Sequence, residues 1–336
     1  MVEIKQSDFE KYCSRLSSLK IAVIGDVMLD LYYLGKTDRI SPEAPVPVVS
    51  VERKEIKPGG AANVCLNLKT LGVTPVMFGI AGEDSEGSMF MENMAQNGIS
   101  TENIVIENHR ATTVKTRVLA SDQHVVRFDM ETTEEILPET EKKLSDLLRE
   151  NIPFLDAVIF QDYNKGLLTF NLIKSAITAA TEKNVVTAVD PKFKNFSAYK
   201  GATIFKPNLR EAESILKRKI VTGNDIEKAG KEIMSMLELD KLLITLSEKG
   251  MAAFERNKKM SIIPARSAKI ANVSGAGDTV IASLVAFICA GASFEQACAI
   301  SNYAASLAVE DVSIIPVSID DLKKRLVENE VLIKST

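Results

Sequence analysis

Apolar residues recur along this chain with two periods. Phe9, Cys13 and Leu16 fall at helical spacing, and Ile21 to Ile24 then form an unbroken apolar run ending at Gly25-Asp26. The first predicts a short helix and the second a buried strand. The strand pattern returns four times: Ala157 to Phe160 ends at Asp162, Val185 to Val189 at Asp190, Thr203 to Phe205 at Lys206-Pro207-Asn208, and Leu242 to Leu246 at Ser247. Helical segments separate most of these runs. Such alternation predicts an α/β fold with a doubly wound, mostly parallel sheet, because parallel strands need crossover connections that cover both faces. Ligands bind outside the carboxyl ends of strands in such sheets, and Asp26, Asp162, Asp190, Asn208 and Ser247 fall there.

Two segments depart from this rhythm. Residues 31–56 are rich in Pro and β-branched residues. In residues 112–129, Val114, Thr116 and Val118, then Val126 and Phe128, alternate with period two. Both predict strands of a small separate sheet. Inserted between helices, that sheet is expected to form a lid across the site, with an outer face able to pair with a second copy as a homodimer. No repeat, low-complexity tract or linker interrupts the chain, so residues 1–336 are expected to form a single domain with its lid.

Composition narrows the partners. At 336 residues and 46% hydrophobic content the chain is long enough to bury a large core. A net charge of -4 argues against nucleic acid or an anionic membrane, both of which call for a basic face. The first residues include Glu3, Lys5 and Asp8 without an apolar signal core, and no uncharged stretch reaches the roughly 20 residues of a membrane span. A cytoplasmic location follows. Cys13, Cys65, Cys289 and Cys298 lack C-x-x-C spacing and read as buried free thiols.

Two glycine-rich turns carry the chemistry. Val273-Ser274-Gly275-Ala276-Gly277-Asp278-Thr279 precedes an apolar helix bearing Ile281, Leu284, Val285 and Ile288. Glycines let the backbone approach an anion, and the free N–H groups of a helix start favour negative charge. A carboxylate there is repulsive to phosphate unless it takes a proton from an attacking hydroxyl. On spacing alone a second account stays open, in which the glycines make a turn and Asp278 caps a helix. The turn is not a Walker loop: Gly35-Lys36-Thr37 is the one G-K-T, and Asp30 occupies the first glycine position. Val280 occupies the third glycine position of a dinucleotide fingerprint. The other turn, Lys57-Pro58-Gly59-Gly60-Ala61-Ala62-Asn63, opens a helix with Val64, Leu68 and Leu71 as its apolar stripe. Small residues followed by an amide suit a polyhydroxylated ligand, or tight helix packing at Ala61 and Ala62.

With Gly25 to Asp30, these motifs resemble the ribokinase/PfkB carbohydrate kinases over nearly the whole chain. The resemblance implies a ribokinase-like kinase using ATP and Mg2+. It makes Asp278 the catalytic base, with Gly275, Ala276 and Gly277 as the anion hole. It assigns Asp26, Asp30, Gly59, Gly60, Asn63, Arg127 and Lys165 to the sugar, with Lys165 and Lys192 neutralising phosphates. Lys192, Asn208, Glu211, Thr245, Ser247, Gly250 and Asn302 go to the nucleotide, with Glu211 on the magnesium water shell. Within the family, Ile40 to Val49, Asp162-Tyr163-Asn164-Lys165-Gly166, Val189-Asp190-Pro191-Lys192 and Val126-Arg127-Phe128-Asp129 resemble the heptose 7-phosphate kinases of ADP-heptose synthesis, which serve lipopolysaccharide assembly. These enzymes phosphorylate the anomeric hydroxyl to the 1,7-bisphosphate.

The chain departs from that pattern at Asn272, Asn164 and Leu31, where aspartate, glycine and arginine are usual, and after Val309, where the usual lysine and glycines are missing. Asn272 and the segment after Val309 fall where related kinases bind a monovalent cation, so weaker potassium dependence is expected. Its histidines, His109 and His124, lie outside any H-x-G-H motif, and adenylyl transfer is not expected. Two alternatives stand beside the heptose assignment: a kinase for another sugar or sugar phosphate, and a non-catalytic protein that binds nucleotide or sugar phosphate.

Overall fold

The strand Lys20–Gly25 lies inside a main sheet that, among the described residues, has nine strands. The computed structural model describes residues 2–121, 123–266, 275–310 and 316–333. To one side of Lys20–Gly25 lie Thr74–Gly82 and Asn103–Glu107. To the other lie Ala157–Gln161, Val186–Asp190, Ile204–Phe205, Lys241–Thr245, Met251–Glu255 and Ser261–Ile263. The pairs are parallel up to Lys241–Thr245, and the last two strands run antiparallel. The chain winds outward in both directions from the pair in which Val23 lies opposite Ile159 and Gly25 opposite Gln161. That is the topological switch point, where parallel sheets open a crevice at their carboxyl ends.

Strand side chains alternate between two cores. Ile21, Val23 and Ile159 join a core with helices Gln6–Leu16, Ala61–Thr70, Ala276–Cys289 and Phe294–Ala308. Ala22, Ile24, Val158 and Phe160 join the other, covered by helices Pro138–Asn151, Phe170–Glu182, Leu209–Leu216 and Gly223–Met236. Phe9 stacks on Phe287 at 5.8 Å and seals the first helix to the first core. Emptying such an aromatic site costs about 3–5 kcal/mol.

The two irregular segments form a four-stranded sheet with the order Pro47–Gly60, Val27–Ile40, Val114–Ala120, Gln123–Met130. It begins at Val27, earlier than the pattern indicated, and its central pair is parallel while both flanking pairs are antiparallel. Thr116 pairs with Phe128 and Val118 with Val126, as the alternation predicts. One face carries Asp30, Tyr32, Arg117 and Arg127. On the other face Leu31 is buried in the first core, and beyond it Val126 and Phe128 stand exposed.

All four cysteines are free and lie on helices. Cys65 and Cys298 are buried, whereas Cys13 and Cys289 are only partly so, because each sits at the edge of its helix's apolar stripe. Among the described residues no helix is long and apolar enough to cross a membrane.

Candidate active site

The helix Ala276–Cys289 is apolar along most of its length and buried from Asp278 to Phe287, so it runs through the core rather than over it. Gly275 caps it with φ 81, a left-handed conformation that suits glycine. Among the described residues no side chain caps this end. Asp278, 4% exposed, instead directs its carboxylate sideways, which removes the helix-cap account. Its Oδ2 accepts a hydrogen bond from Asn63 Nδ2 at 2.7 Å. Its Oδ1 accepts from Gln161 Nε2 at 2.9 Å and from the Tyr163 hydroxyl at 3.1 Å. Burial pushes the Asp278 carboxyl up to about 7; the Asn63 bond opposes this, the nearby Asp190 charge adds to it, and Tyr163 and Lys206 oppose it. A carboxyl poised there is suited to take a proton near neutral pH.

Asn63 is held for this contact. It lies on the helix Ala61–Thr70, and Asn67 Nδ2 donates to its backbone oxygen at 2.9 Å and to its Oδ1 at 3.3 Å. Thr279 in turn donates to Asn67 Oδ1 at 2.9 Å. With its own Oδ1 occupied, the Asn63 amide turns its N–H toward Asp278. Gly59 and Gly60 lead into this helix. A Cβ at Gly59 would stand 2.6 Å from Asp30 Oδ2, and one at Gly60, where φ is 59, would stand 2.2 Å from the Asp26 backbone oxygen. Ala61 and Ala62 are fully buried in the first core, as tight packing predicts.

The strand-end aspartates divide by task. Asp26 accepts from the backbone N–H groups of Tyr163 at 2.8 Å, Lys165 at 3.0 Å and Leu167 at 3.3 Å. It anchors the loop after Gln161. Burial, reinforced by Asp162, raises its carboxyl to about 6. Asp162 accepts from Asn164 N at 2.8 Å and Tyr199 OH at 2.9 Å, and burial raises it as well. Asp190 pairs with Lys206 at 2.9 Å. A Cβ at Gly277 would lie 3.7 Å from both Asp190 Oδ2 and Lys206 Nζ, so the glycine turn passes directly over this pair.

On the lid, Arg117 donates to Asp30 Oδ1, and its guanidinium lies 5.1 Å from the centroid of Tyr32. Lys57 approaches the same ring at 5.3 Å. Lys165 pairs with Glu131 at 2.7 Å, and Lys115 bridges Asp129 and Glu131 at 3.3 Å each. Arg127 pairs with Asp129 on its own strand. Arg127 and Lys165 are thus tied to acids at the lid, apart from the Asp278 network.

The residues that the resemblance assigns to a nucleotide fall at neighbouring strand ends and, for Asn302, on the helix Phe294–Ala308. Asn208 and Glu211 form a reciprocal capping box at the start of Leu209–Leu216, and Asn208 bridges to Thr245. Lys192 donates to Glu211 and lies 5.4 Å from the Tyr163 ring. Burial draws the Lys192 ammonium down, but Asp190 and Glu211 outweigh it and hold it above its ordinary value. Ser247, with φ 54, and Gly250, with φ 91, shape the turn after Thr245, and a Cβ at Gly250 would meet Ile263 O at 2.0 Å. Asn302 donates to Pro264 O at 2.9 Å from the helix Phe294–Ala308. Among the described residues no group of three or more His, Cys, Asp or Glu could hold a metal. Glu211, whose oxygens already meet Lys192 and Asn208 N, fits contact with a cation through water.

Sequence reasoning missed Gln161, Tyr163, Lys206, Arg117 and Tyr32. Gln161 and Tyr163 flank Asp162 at a strand end, and Lys206 precedes Pro207-Asn208, so adjacency to recognised positions was their available signal. Val273, Ser274, Asn272 and residues 311–315, where the cation-site departures lie, fall outside the described residues.

Comparison with known proteins bears on the family and the fold. The model of the pfkB family carbohydrate kinases matches residues 18–321. The bifunctional protein HldE of Trichlorobacter lovleyi is 40% identical over 300 residues, covering 89% of this chain and 61% of that protein. Its Helicobacter pylori counterpart is 37% identical over 303 residues, covering 90% and 65%. The chain therefore spans a little under two thirds of these relatives. Escherichia coli phosphofructokinase-2 in complex with substrates and products superposes with a TM-score of 0.76 at 18% identity, covering 92% of this chain and 99% of that one. Arabidopsis thaliana ribokinase complexed with ribose and ATP gives 0.71 at 18% identity, covering 92% and 98%. At that identity the likeness is one of fold.

Proposed function

This chain belongs to the pfkB family of carbohydrate kinases, and on that premise we propose that it transfers the γ-phosphoryl group of ATP to the anomeric hydroxyl of heptose 7-phosphate, giving the 1,7-bisphosphate. The observation that carries the phosphotransfer is the buried Asp278 carboxylate, oriented by three donors beside a helix start. The sugar hydroxyl gives its proton to Asp278 as its oxygen bonds to the γ-phosphorus, and the bond from that phosphorus to the departing ADP breaks. The first amides of the helix at Ala276, Gly277 and Asp278 lack intrahelical acceptors and stabilise the charge on the transferring group. Lys192, Asn208, Thr245, Ser247, Gly250 and Asn302 bind the nucleotide. A divalent cation, Mg2+ in this proposal, neutralises phosphate charge when bound, and Glu211 would hold it through water.

The heptose assignment draws on the basic residues of the lid face and on the 37–40% identity with the HldE proteins. Asp30, fixed by Arg117, binds sugar hydroxyls. Lys57, Lys115, Arg117, Arg127 and Lys165, each paired here with an acid, would exchange such a partner for the phosphate of an acceptor that already carries one. The exposed Val126 and Phe128 on the other face of the lid suit a homodimer in the cytoplasm, the whole chain acting as one catalytic unit with its lid. Light scattering at micromolar concentration tests the dimer, and a purely monomeric species removes it.

Coupled ADP release tests the chemistry with heptose 7-phosphate, fructose 6-phosphate, fructose and ribose, each with and without potassium. Heptose 7-phosphate is expected to give the highest kcat/KM and a phosphorus spectrum with a new anomeric phosphate. A higher kcat/KM on an unphosphorylated sugar overturns the heptose assignment and leaves a kinase; no turnover with any acceptor leaves the binding-protein alternative.

A further inference from the structure

A carboxylate offers about four lone-pair sites, two on each oxygen. In Asp278 they are unequally used. Among the described residues, Oδ1 accepts from both Gln161 and Tyr163, while Oδ2 accepts from Asn63 alone. The described partners leave one acceptor position, on Oδ2, beside the helix that carries Asn63. Tyr163 faces two ways: its hydroxyl reaches Asp278 at 3.1 Å, and its ring lies 5.4 Å from Lys192 Nζ, which is bonded to Glu211. Burial and the Asp278 charge raise the phenol well above its ordinary value, so it stays a donor.

We propose that Tyr163 is a positioning residue for phosphoryl transfer: with Gln161 it fills both lone pairs of Asp278 Oδ1, so that Oδ2 takes the sugar proton, and its ring links that orientation to Lys192 on the nucleotide side. The proposal rests on Asp278 being the base. Without the Tyr163 hydroxyl, Oδ1 regains a free lone pair and the carboxylate can present either oxygen. The charged groups facing Asp278 are otherwise unchanged, with Asp190 and Lys206 on the neighbouring strand ends.

Tyr163→Phe keeps the ring over Lys192 and removes the donor. With heptose 7-phosphate, or with the best acceptor of the panel, kcat is expected to fall roughly tenfold, the order of one lost orienting hydrogen bond. The KM for ATP should stay within about twofold because the ring contact persists. The acid limb of kcat/KM should move to higher pH, since a donor to the charged carboxylate is gone. Gln161→Met opens the same oxygen and should move the limb the same way, which keeps the test decisive if Tyr163→Phe folds poorly. An acid limb that stays put in both variants overturns the proposal, as does a loss of melting temperature accompanied by a raised ATP KM. Asp278→Asn run in parallel separates the two claims: if it retains turnover the base assignment fails, whereas an inactive Asp278→Asn beside an unmoved limb removes Tyr163 alone.

Discussion

Lys206 Nζ lies 2.9 Å from Asp190 Oδ1 with 3% of the lysine side chain and 11% of the aspartate exposed, making this the deeply buried ion pair beneath the glycine turn. A buried pair contributes little when exchanged whole, but removing one partner strands a charge and costs about 3–5 kcal/mol. Lys206→Met should therefore lose stability on that scale in urea unfolding, and Asp190→Asn in the same chain should recover part of it. If the double variant is no more stable than the single, the pair is not the source of the loss.

Asp278→Asn keeps the shape of the side chain and removes the proposed base. Turnover should drop roughly 10²- to 10⁴-fold. ATP affinity should hold or improve, since a negative charge beside the phosphate site is gone. Steady-state kinetics and nucleotide titration on one preparation check this, and near-wild-type turnover would count decisively against a catalytic role.

Asp278 and Asp26 ionise near 7 and 6 in the folded chain, against about 4 for an ordinary aspartate. A carboxyl raised on folding contributes stability below its unfolded value and loses that contribution as pH climbs to its folded value. From these two groups, stability should decline between about pH 4 and pH 7 and level off above. Asp278→Asn should be more heat-resistant than the parent at pH 8, with the gap closing toward pH 4. Melting curves across that range settle it, and a gap that widens on acidification contradicts the linkage.

Two glycines with positive φ give a matched pair. Gly72, at φ 90, has nothing within 4 Å of an added Cβ, whereas at Gly60, at φ 59, that atom would meet Asp26 O at 2.2 Å. Gly72→Ala should cost about 1 kcal/mol from backbone strain. Gly60→Ala should cost several times more, because strand and helix must separate to admit the methyl. Equal unfolding midpoints for the two variants would remove the steric account.

The strand ends were legible because an apolar run that stops at Asp, Asn or Ser is a local pattern, and Asp26, Asp162, Asp190 and Asn208 all reside where such runs end. Arg117 escaped for an instructive reason. The alternation Val114, Thr116, Val118 identified the strand through its apolar phase, while the residues that face the cleft, Lys115 and Arg117, occupy the phase that was passed over. Successive side chains point to opposite faces, so an apolar phase says nothing of the charged residues between its members. Tyr163 and Gln161 act on Asp278 across more than 110 residues of chain, a distance at which no spacing rule operates. The resemblance assigns Asp26 to the sugar, yet its oxygens meet three amides of a loop whose path no local pattern describes.

The backbone between Asp26 and Asn63 leaves the main sheet at Val27, travels the length of the lid and returns at Gly60, where Val27 and Gly60 are paired. A 14-residue strand reaches about 45 Å at roughly 3.3 Å per residue. Val27 to Tyr32 are buried, with Leu29 and Leu31 in the first core, so the root is fixed and the free arm is residues 33–40. That arm reaches about 26 Å, so a bend of about 5° past Tyr32 would carry its tip about 2 Å while Asn63, beside the buried root, stays in place. The buried root thereby separates bending of the outer sheet from the amide that meets Asp278.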